Sequence, residues 1–178
     1  MKYNKITLAT LLITIIFTFN QCKKNKDDEP QLPPETTTGA MTFGCKVNGK
    51  VFVPRNGRGR PGLFVQYVNL GMGPGGGWSL NIPAVDWVPI TPEGVNIETD
   101  SLLVNEGVTY FFKNQKGSPR AFYDNGASFI AMDNDGSLKI TKFSPTTRII
   151  SGIFSFVGTN TANGKQINIT EGRFDIRY

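Results

Sequence analysis

Residues 148–178 read RIISGIFSFVGTNTANGKQINITEGRFDIRY, and this stretch decides the fold class because it predicts a long β-hairpin. Residues 148–157 are rich in Ile and Phe, which favour strands. Asn163-Gly164 is a strong two-residue turn signal, and residues 165–178 return. Apolar and polar residues alternate along the last strand, which predicts one buried face and one solvent face. Apolar Phe174, Ile176 and Tyr178 alternate with Arg173, Asp175 and Arg177.

The same two-residue period recurs upstream. Phe43, Cys45 and Val47 alternate with smaller or polar residues, Asn48-Gly49 supplies a hairpin turn, and residues 50–54 return. Residues 128–132 and 137–143 predict a further hairpin across Asp133-Asn134-Asp135-Gly136, whose residue types suit a turn. Three prolines interrupt residues 83–100, which therefore predict loops or an edge strand.

No helical periodicity is visible after residue 21. About ten short strands within one domain's length predict an all-β, antiparallel β-sandwich, with a small β-barrel as the alternative. We assign this single domain to residues 41–178, which is close to the usual domain size. Residues 22–40 are charged and then rich in Pro and Thr, so we expect a disordered linker there.

The first twenty-one residues have the composition of an export signal. Lys2 and Lys5 precede an apolar run at residues 6–19, which has the length of a signal peptide core. A transmembrane helix needs about 20 apolar residues, so an uncleaved membrane anchor is the less favoured alternative. Cys22 follows directly, before the charged residues 23–29.

Composition excludes several function classes. The chain has no histidine, which excludes a Ser-His-Asp triad and histidine-bound zinc. Its net charge is +5 with scattered basic residues, which gives no dense basic face for nucleic acid. Cys45 lies in an alternating strand without a histidine partner, so we predict a buried structural thiol. We predict no metal and no cofactor.

Two groups of residues are candidates for ligand binding. Arg55, Arg58 and Arg60 lie on one predicted loop and could bind an anionic glycan or phosphate, although a solvated basic loop is the favoured explanation. Trp78 and Trp87 could stack on a sugar, although aromatic residues of a β-sandwich usually belong to its core. A pair of acids across a cleft would instead predict a carboxylate-dependent glycan hydrolase.

Four segments together resemble a family of uncharacterised, small, all-β Bacteroidetes lipoproteins. They are residues 42–50, 136–142, 150–156 and 169–176. The N-terminus also resembles a lipoprotein signal, although Gln21 stands where such signals usually carry a small residue. The resemblance implies lipid attachment at Cys22 and an acidic surface-export tether after it. Asp100-Ser101-Leu102 resembles the O-glycosylation signal of exported Bacteroidetes proteins, which makes Ser101 a candidate acceptor.

These observations predict a lipid-anchored, non-enzymatic envelope protein with a binding or structural role. The expected location is the outer membrane at the cell surface, with its periplasmic face as the alternative. The expected partners are the membrane, through the N-terminal lipid, and a glycan or protein ligand. The hydrolase remains the alternative function, and the resemblance itself implies no catalytic or binding residues.

Overall fold

The structure, a computed structural model, describes residues 30–73 and 76–178. The predicted signal peptide and Cys22 lie outside the described residues. The strands are β1 (Thr42–Val47), β2 (Lys50–Phe52), β3 (Gln66–Asn69), β4 (Trp78–Asp86), β5 (Glu93–Thr99), β6 (Thr109–Phe111), β7 (Pro119–Asp124), β8 (Ser128–Ser144), β9 (Ile149–Thr159) and β10 (Gln166–Arg177). Within these described ranges, no helix has the length and apolar character needed to cross a bilayer.

All the strands belong to one antiparallel sheet. Its order is β2-β1-β10-β9-β8-β7-β5-β4-β3, and β6 pairs with β8 beside this path. The predicted all-β, antiparallel class with about ten strands is confirmed, and the sheet is curled into a half-barrel. The Asn48-Gly49 turn is also confirmed, since both residues have the positive φ that a tight hairpin requires, 47° and 84°.

The curl brings the segment that follows β2 against the end of β4, near the opposite edge of the sheet. Directly after β2, the Arg55 N–H donates to the Val85 carbonyl (3.2 Å) and the Trp87 N–H donates to the Arg55 carbonyl (3.1 Å), both at the far end of β4. The inward side chains of the whole sheet therefore pack into a single core. Cys45 is fully buried there, which confirms the predicted core thiol. Burial, with a smaller effect of the Glu93 charge, raises the pKa of this thiol to about 12.

Antiparallel strands alternate in direction, so the turns group at two ends of the sheet. We name as the upper end the one that carries the β1–β2, β4–β5, β7–β8 and β9–β10 connections. The lower end carries the β3–β4 and β8–β9 connections and residues 100–108 that follow β5. This division decides which loops are neighbours.

The predicted hairpin across residues 133–136 is wrong. These residues form a bulge inside the single long strand β8, where the register shifts between Ala131 and Gly136. The segment after β6 pairs with the bulge: the Asn134 N–H donates to the Phe112 carbonyl (2.9 Å), and the Phe112 N–H donates to the Gly136 carbonyl (3.1 Å). This long-range pairing satisfies backbone groups that an isolated turn would leave to solvent.

Pro83 lies inside β4, although its segment was predicted to be loop or edge strand. The N–H and C=O of a strand residue point to the same side, and the Pro83 carbonyl accepts a hydrogen bond from the Phe64 N–H (3.1 Å). The missing N–H therefore lies on the β3 side, beyond the point where the β3–β4 ladder ends at Asn81. The proline thus removes no ladder bond to β5.

Residues 32–40, which we name the strap, lie across the outer face of β1 and β10. They form the last part of the predicted linker. Asp175 of β10 accepts hydrogen bonds from the Thr36 hydroxyl (2.7 Å) and from the backbone N–H groups of Thr38 (2.9 Å), Gly39 (2.8 Å) and Ala40 (3.1 Å). The Ser151 hydroxyl donates to the same carboxylate (2.7 Å). The predicted solvent face of β10 is therefore covered at this position, and Asp175 is only 1% exposed.

Candidate functional site

A hollow of about 410 Å³ lies on the outer face of β4, β5 and β7. Strand pairing places Val85, Gly94 and Asp124 in one row across this face, and Pro83, Asn96 and Phe122 in the next. Gly94 has no side chain, so the row dips between its neighbours. The lining is mostly apolar, and its volume falls within the range of small-ligand pockets. The lining residues are Pro83, Val85, Trp87, Thr91, Pro92, Glu93, Gly94, Val95, Asn96, Phe122, Asp124 and Gly126.

Trp87, a predicted candidate, lines this hollow and is held in place from one side. Its indole N–H donates to the Pro61 carbonyl (2.9 Å), and the Arg60 guanidinium lies 4.8 Å from the ring centroid. The neighbouring loop approaches so closely that a Cβ on Gly57 would lie 2.9 Å from the Trp87 Cβ. The ring therefore has a fixed orientation, and Arg60 occupies one of its faces.

The three candidate arginines come together beside Trp87, but each has a protein partner. Arg55 makes a bidentate ion pair with the buried Asp86 (Nε–Oδ1 3.0 Å, Nη2–Oδ2 2.6 Å), a hydrogen bond that raises the pKa of its guanidinium. Arg58 Nη2 donates to the carbonyls of Pro89 (2.6 Å) and Ile90 (2.9 Å). The loop is thus a support for residues 87–90 that keeps the charges of Arg58 and Arg60 exposed.

Trp78 and Ser101, the other candidates, lie away from the hollow, at the lower end. Trp78 is half-buried and stacks on Tyr67, with ring centroids 4.7 Å apart. The Ser101 hydroxyl donates to the Gly76 carbonyl and to Asp100 Oδ1. The structure therefore brings Trp87 and the three arginines together and separates Trp78 and Ser101 from them.

A polar border adjoins the hollow and was missed by sequence reasoning. Asn96 Nδ2 donates to Glu98 Oε2 (3.2 Å), and Glu98 pairs with Arg120 at 2.6 Å. Asn96 Oδ1 and Arg120 Nε are buried atoms without a hydrogen-bond partner among the described residues. The only sequence signal for this group is the outward position of its members on two strands, β5 and β7, which are not consecutive in sequence. Strand pairing had to be known before those positions could be combined.

Two acids line the hollow, on opposite faces of the sheet. Glu93 Oε2 accepts a hydrogen bond from the Tyr123 hydroxyl (2.7 Å), and Tyr123 points into the core. Burial, together with this bond to Glu93, raises the pKa of Tyr123. Asp124 points outward, where it accepts the Gly126 N–H (2.9 Å). The hydrolase stays a prediction without support from this arrangement, since its two carboxyl groups must face one cleft.

Among the residues that the structure describes, no group of three or more Cys, Asp or Glu side chains could hold a metal ion. No family model, no curated protein and no solved structure matches this chain.

Proposed function

We propose that this chain is a lipid-anchored envelope protein whose domain binds a carbohydrate in the hollow around Trp87. The observation that carries the proposal is the combination of an apolar hollow, an aromatic ring held in a fixed orientation, and polar groups at its border. The proposed role is binding without catalysis.

A carbohydrate can use both the apolar lining of the hollow and the polar groups at its border. A pyranose ring has apolar C–H faces that pack against aromatic rings, and its hydroxyl groups need polar partners at the edge. Trp87 and Phe122 supply the apolar contact, while Asn96 and Asp124 supply amide and carboxylate groups. Because Pro61 and Arg60 already fix the Trp87 ring, little conformational entropy is lost when a ligand binds.

The proposed address rests on the N-terminal sequence. Lys2 and Lys5, the apolar run at residues 6–19 and Cys22 support export followed by lipid attachment. Stable anchoring needs more than one lipid chain, as a lipidated N-terminal cysteine provides. The charged residues 23–29 support display at the cell surface, with the periplasmic face of the outer membrane as the other location consistent with an anchor.

Carbohydrate binding is tested by titrating a panel of soluble neutral and acidic oligosaccharides in a calorimeter, a readout that does not depend on Trp87 itself. We expect Trp87→Ala and Phe122→Ala to weaken binding about tenfold, the loss of roughly 1.4 kcal/mol of contact energy. Phe111→Ala is the matched control, because Phe111 is an exposed Phe on β6, outside the hollow. Absence of binding to the whole panel, or equal losses in Phe111→Ala and Phe122→Ala, would contradict the proposal.

A further inference from the structure

The β4–β5 loop exposes apolar side chains at the upper end. Ile90 is 95% exposed and Val88 is 57% exposed, on either side of Pro89. Two hydrogen bonds from Arg58 hold the backbone carbonyls of Pro89 and Ile90. The loop therefore has a fixed backbone, while its apolar side chains point away from the described parts of the domain. Exposed apolar side chains mark a protein or membrane contact when they are grouped and surrounded by polar or charged groups.

Positive charge surrounds this apolar loop. Arg58 and Gly59 form a two-residue turn with φ values of 54° and 71°, which keeps the guanidinium of Arg58 beside residues 89–90. Arg60 lies on the adjacent Trp87. The neighbouring turns at the upper end add exposed Lys50 and Lys165, against exposed Asp124. An apolar loop among cations suits the interface of an anionic membrane.

The segment that follows the proposed lipid anchor reaches the domain at the same upper end. Pro30, the first described residue, lies beside Gly49, Lys50 and Val51 at the β1–β2 turn. Residues 23–29 alone separate it from Cys22, and the eight steps from residue 22 to residue 30 span at most about 28 Å when fully extended. From Leu32 onward the strap is bound to the domain. A lipid on Cys22 would therefore hold the upper end close to the bilayer.

The lower end also exposes apolar side chains, including Met72 at 104% and Leu103 at 50%. The short segment between Cys22 and Pro30 makes this end the less favourable one for contact with the membrane. Residues 30–41, which contain the strap, already run from the upper end, at Pro30, to the lower end, where Met41 precedes β1. To place the lower end on the membrane, residues 22–29 would have to cover the same length in the opposite direction, which uses most of their reach.

We propose that the upper end docks on the anionic lipid surface that carries the anchor, with Val88 and Ile90 inserted and Arg58 and Arg60 against the headgroups. This proposal rests on the proposed lipid attachment at Cys22. In this orientation the hollow, which begins at Trp87, opens sideways next to the headgroup layer. A carbohydrate carried on a lipid would then be within its reach.

The test uses two fully exposed apolar positions, one at each end. Ile90→Cys and Met72→Cys are introduced separately into the full chain, and the lipidated protein is purified from membranes. Each is labelled with an environment-sensitive dye and reconstituted into vesicles of phosphatidylethanolamine and phosphatidylglycerol. Buried Cys45 stays unlabelled in the folded protein because its thiol is inaccessible and protonated.

We expect the dye at position 90 to shift its emission to the blue and to be quenched by a lipid-attached quencher, while the dye at position 72 stays in water. Equal responses at the two positions, a response at 72 alone, or no response at either would overturn the docking proposal. When phosphatidylcholine replaces phosphatidylglycerol, the ratio of inserted to free dye at position 90 should fall about fivefold for each arginine that contacts a headgroup. Insertion independent of lipid charge would overturn the role of the arginines.

The mass of the N-terminal peptide separates this proposal from the anchor itself. If Cys22 carries lipid and the dye at position 90 stays in water, docking fails and the anchor stands. If Cys22 carries no lipid, the anchor fails. In that case an Ile90→Cys protein that also carries Cys22→Ser, so that the dye reacts at position 90 and not at residue 22, shows whether the upper end binds the same vesicles by itself, and only binding by itself would preserve the docking proposal.

Discussion

The outer face of the sheet is covered by the strap at β10 and is left uncovered at β4, β5 and β7. The outer face of β10 carries Arg173, Asp175 and Arg177, and the strap covers its middle, so that Asp175 is buried while Arg177 stays exposed. The outer face of β4, β5 and β7 carries Pro83, Asn96 and Phe122, and nothing in the described chain covers it. The polar face is closed and the more apolar face is open, which is the reverse of what solvation alone would favour.

Glycine and charge explain why the strap binds where it does. Gly44 of β1 lets Pro33 approach so closely that an added Cβ would lie 2.6 Å from the Pro33 Cδ. Arg177 Nη2 donates to the Thr38 carbonyl (3.3 Å), and Asp175 collects the N–H groups of the same segment. The strap thus exchanges backbone hydrogen bonds with side chains of β10. The open face offers no comparable set of partners for backbone, and its apolar lining suits a ligand.

The largest expected effect is that of removing the carboxylate under the strap. Asp175→Ala should lower the free energy of unfolding by about 3 kcal/mol, because the N–H groups of residues 38–40 and the Ser151 hydroxyl lose their acceptor. Urea unfolding followed by tryptophan fluorescence measures the loss. Limited proteolysis should also cut the strap faster in this variant.

The matched control is Asp124→Ala on the open face. Asp124 is exposed and accepts the Gly126 N–H of its own turn, so its loss should cost about 0.5 kcal/mol. Similar costs for the two variants would show that the strap contributes little to stability, and the distinction between a closed and an open face would then lose its energetic meaning.

Local signals predicted several elements of this fold correctly. Asn48-Gly49 forms the β1–β2 turn because only its residue types reach positive φ at low cost. Gly172 interrupts the apolar–polar alternation of the last strand, and it marks a bulge where the β9–β10 register shifts between Ile169 and Gly172. Alternation along residues 173–178 correctly divided inward from outward side chains. Each of these features depends on neighbours in sequence.

Features that depend on distant pairing were missed. Residues 133–136 have turn chemistry, yet the segment after β6 pairs with them and keeps β8 continuous. Alternation identified Asp175 as outward but gave no sign that Thr36, Gly39 and Ala40 would cover it. The hollow combines residues from β4, β5 and β7, and its floor is a glycine, so no single segment carries its signature.

A pair of glycines gives the next largest effect. Gly44→Ala should cost about 1–2 kcal/mol, because the new methyl group displaces Pro33 of the strap. In Gly94→Ala the new methyl group would lie no nearer than 3.1 Å to its neighbours, the Ala84 carbonyl and Val85 Cγ2, so its cost should stay within about 0.5 kcal/mol. Chemical unfolding measures both values. A stable Gly44→Ala protein with an intact strap would contradict the close approach of Pro33, whereas Gly94→Ala should reduce oligosaccharide binding by filling the hollow.

The smallest expected effect is a loss of stability at low pH that depends on Asp175 of the covered face and not on Asp124 of the open face. Burial alone would raise the pKa of Asp175, but hydrogen bonds from Thr36, Ser151 and the N–H groups of residues 39–40 favour the charged form and lower it far below its ordinary value of 3.8. In the unfolded chain the Asp175 carboxylate therefore binds a proton near pH 3.8, whereas in the folded chain it stays charged at that pH. The free energy of unfolding should fall below about pH 4 and be lower by about 1 kcal/mol at pH 3.

Urea unfolding at pH 7 and pH 3 measures this loss, and Asp175→Ala should lack it while Asp124→Ala retains it. An equal acid loss in wild type and Asp175→Ala would mean that other carboxylates, and not the one beneath the strap, cause the acid sensitivity.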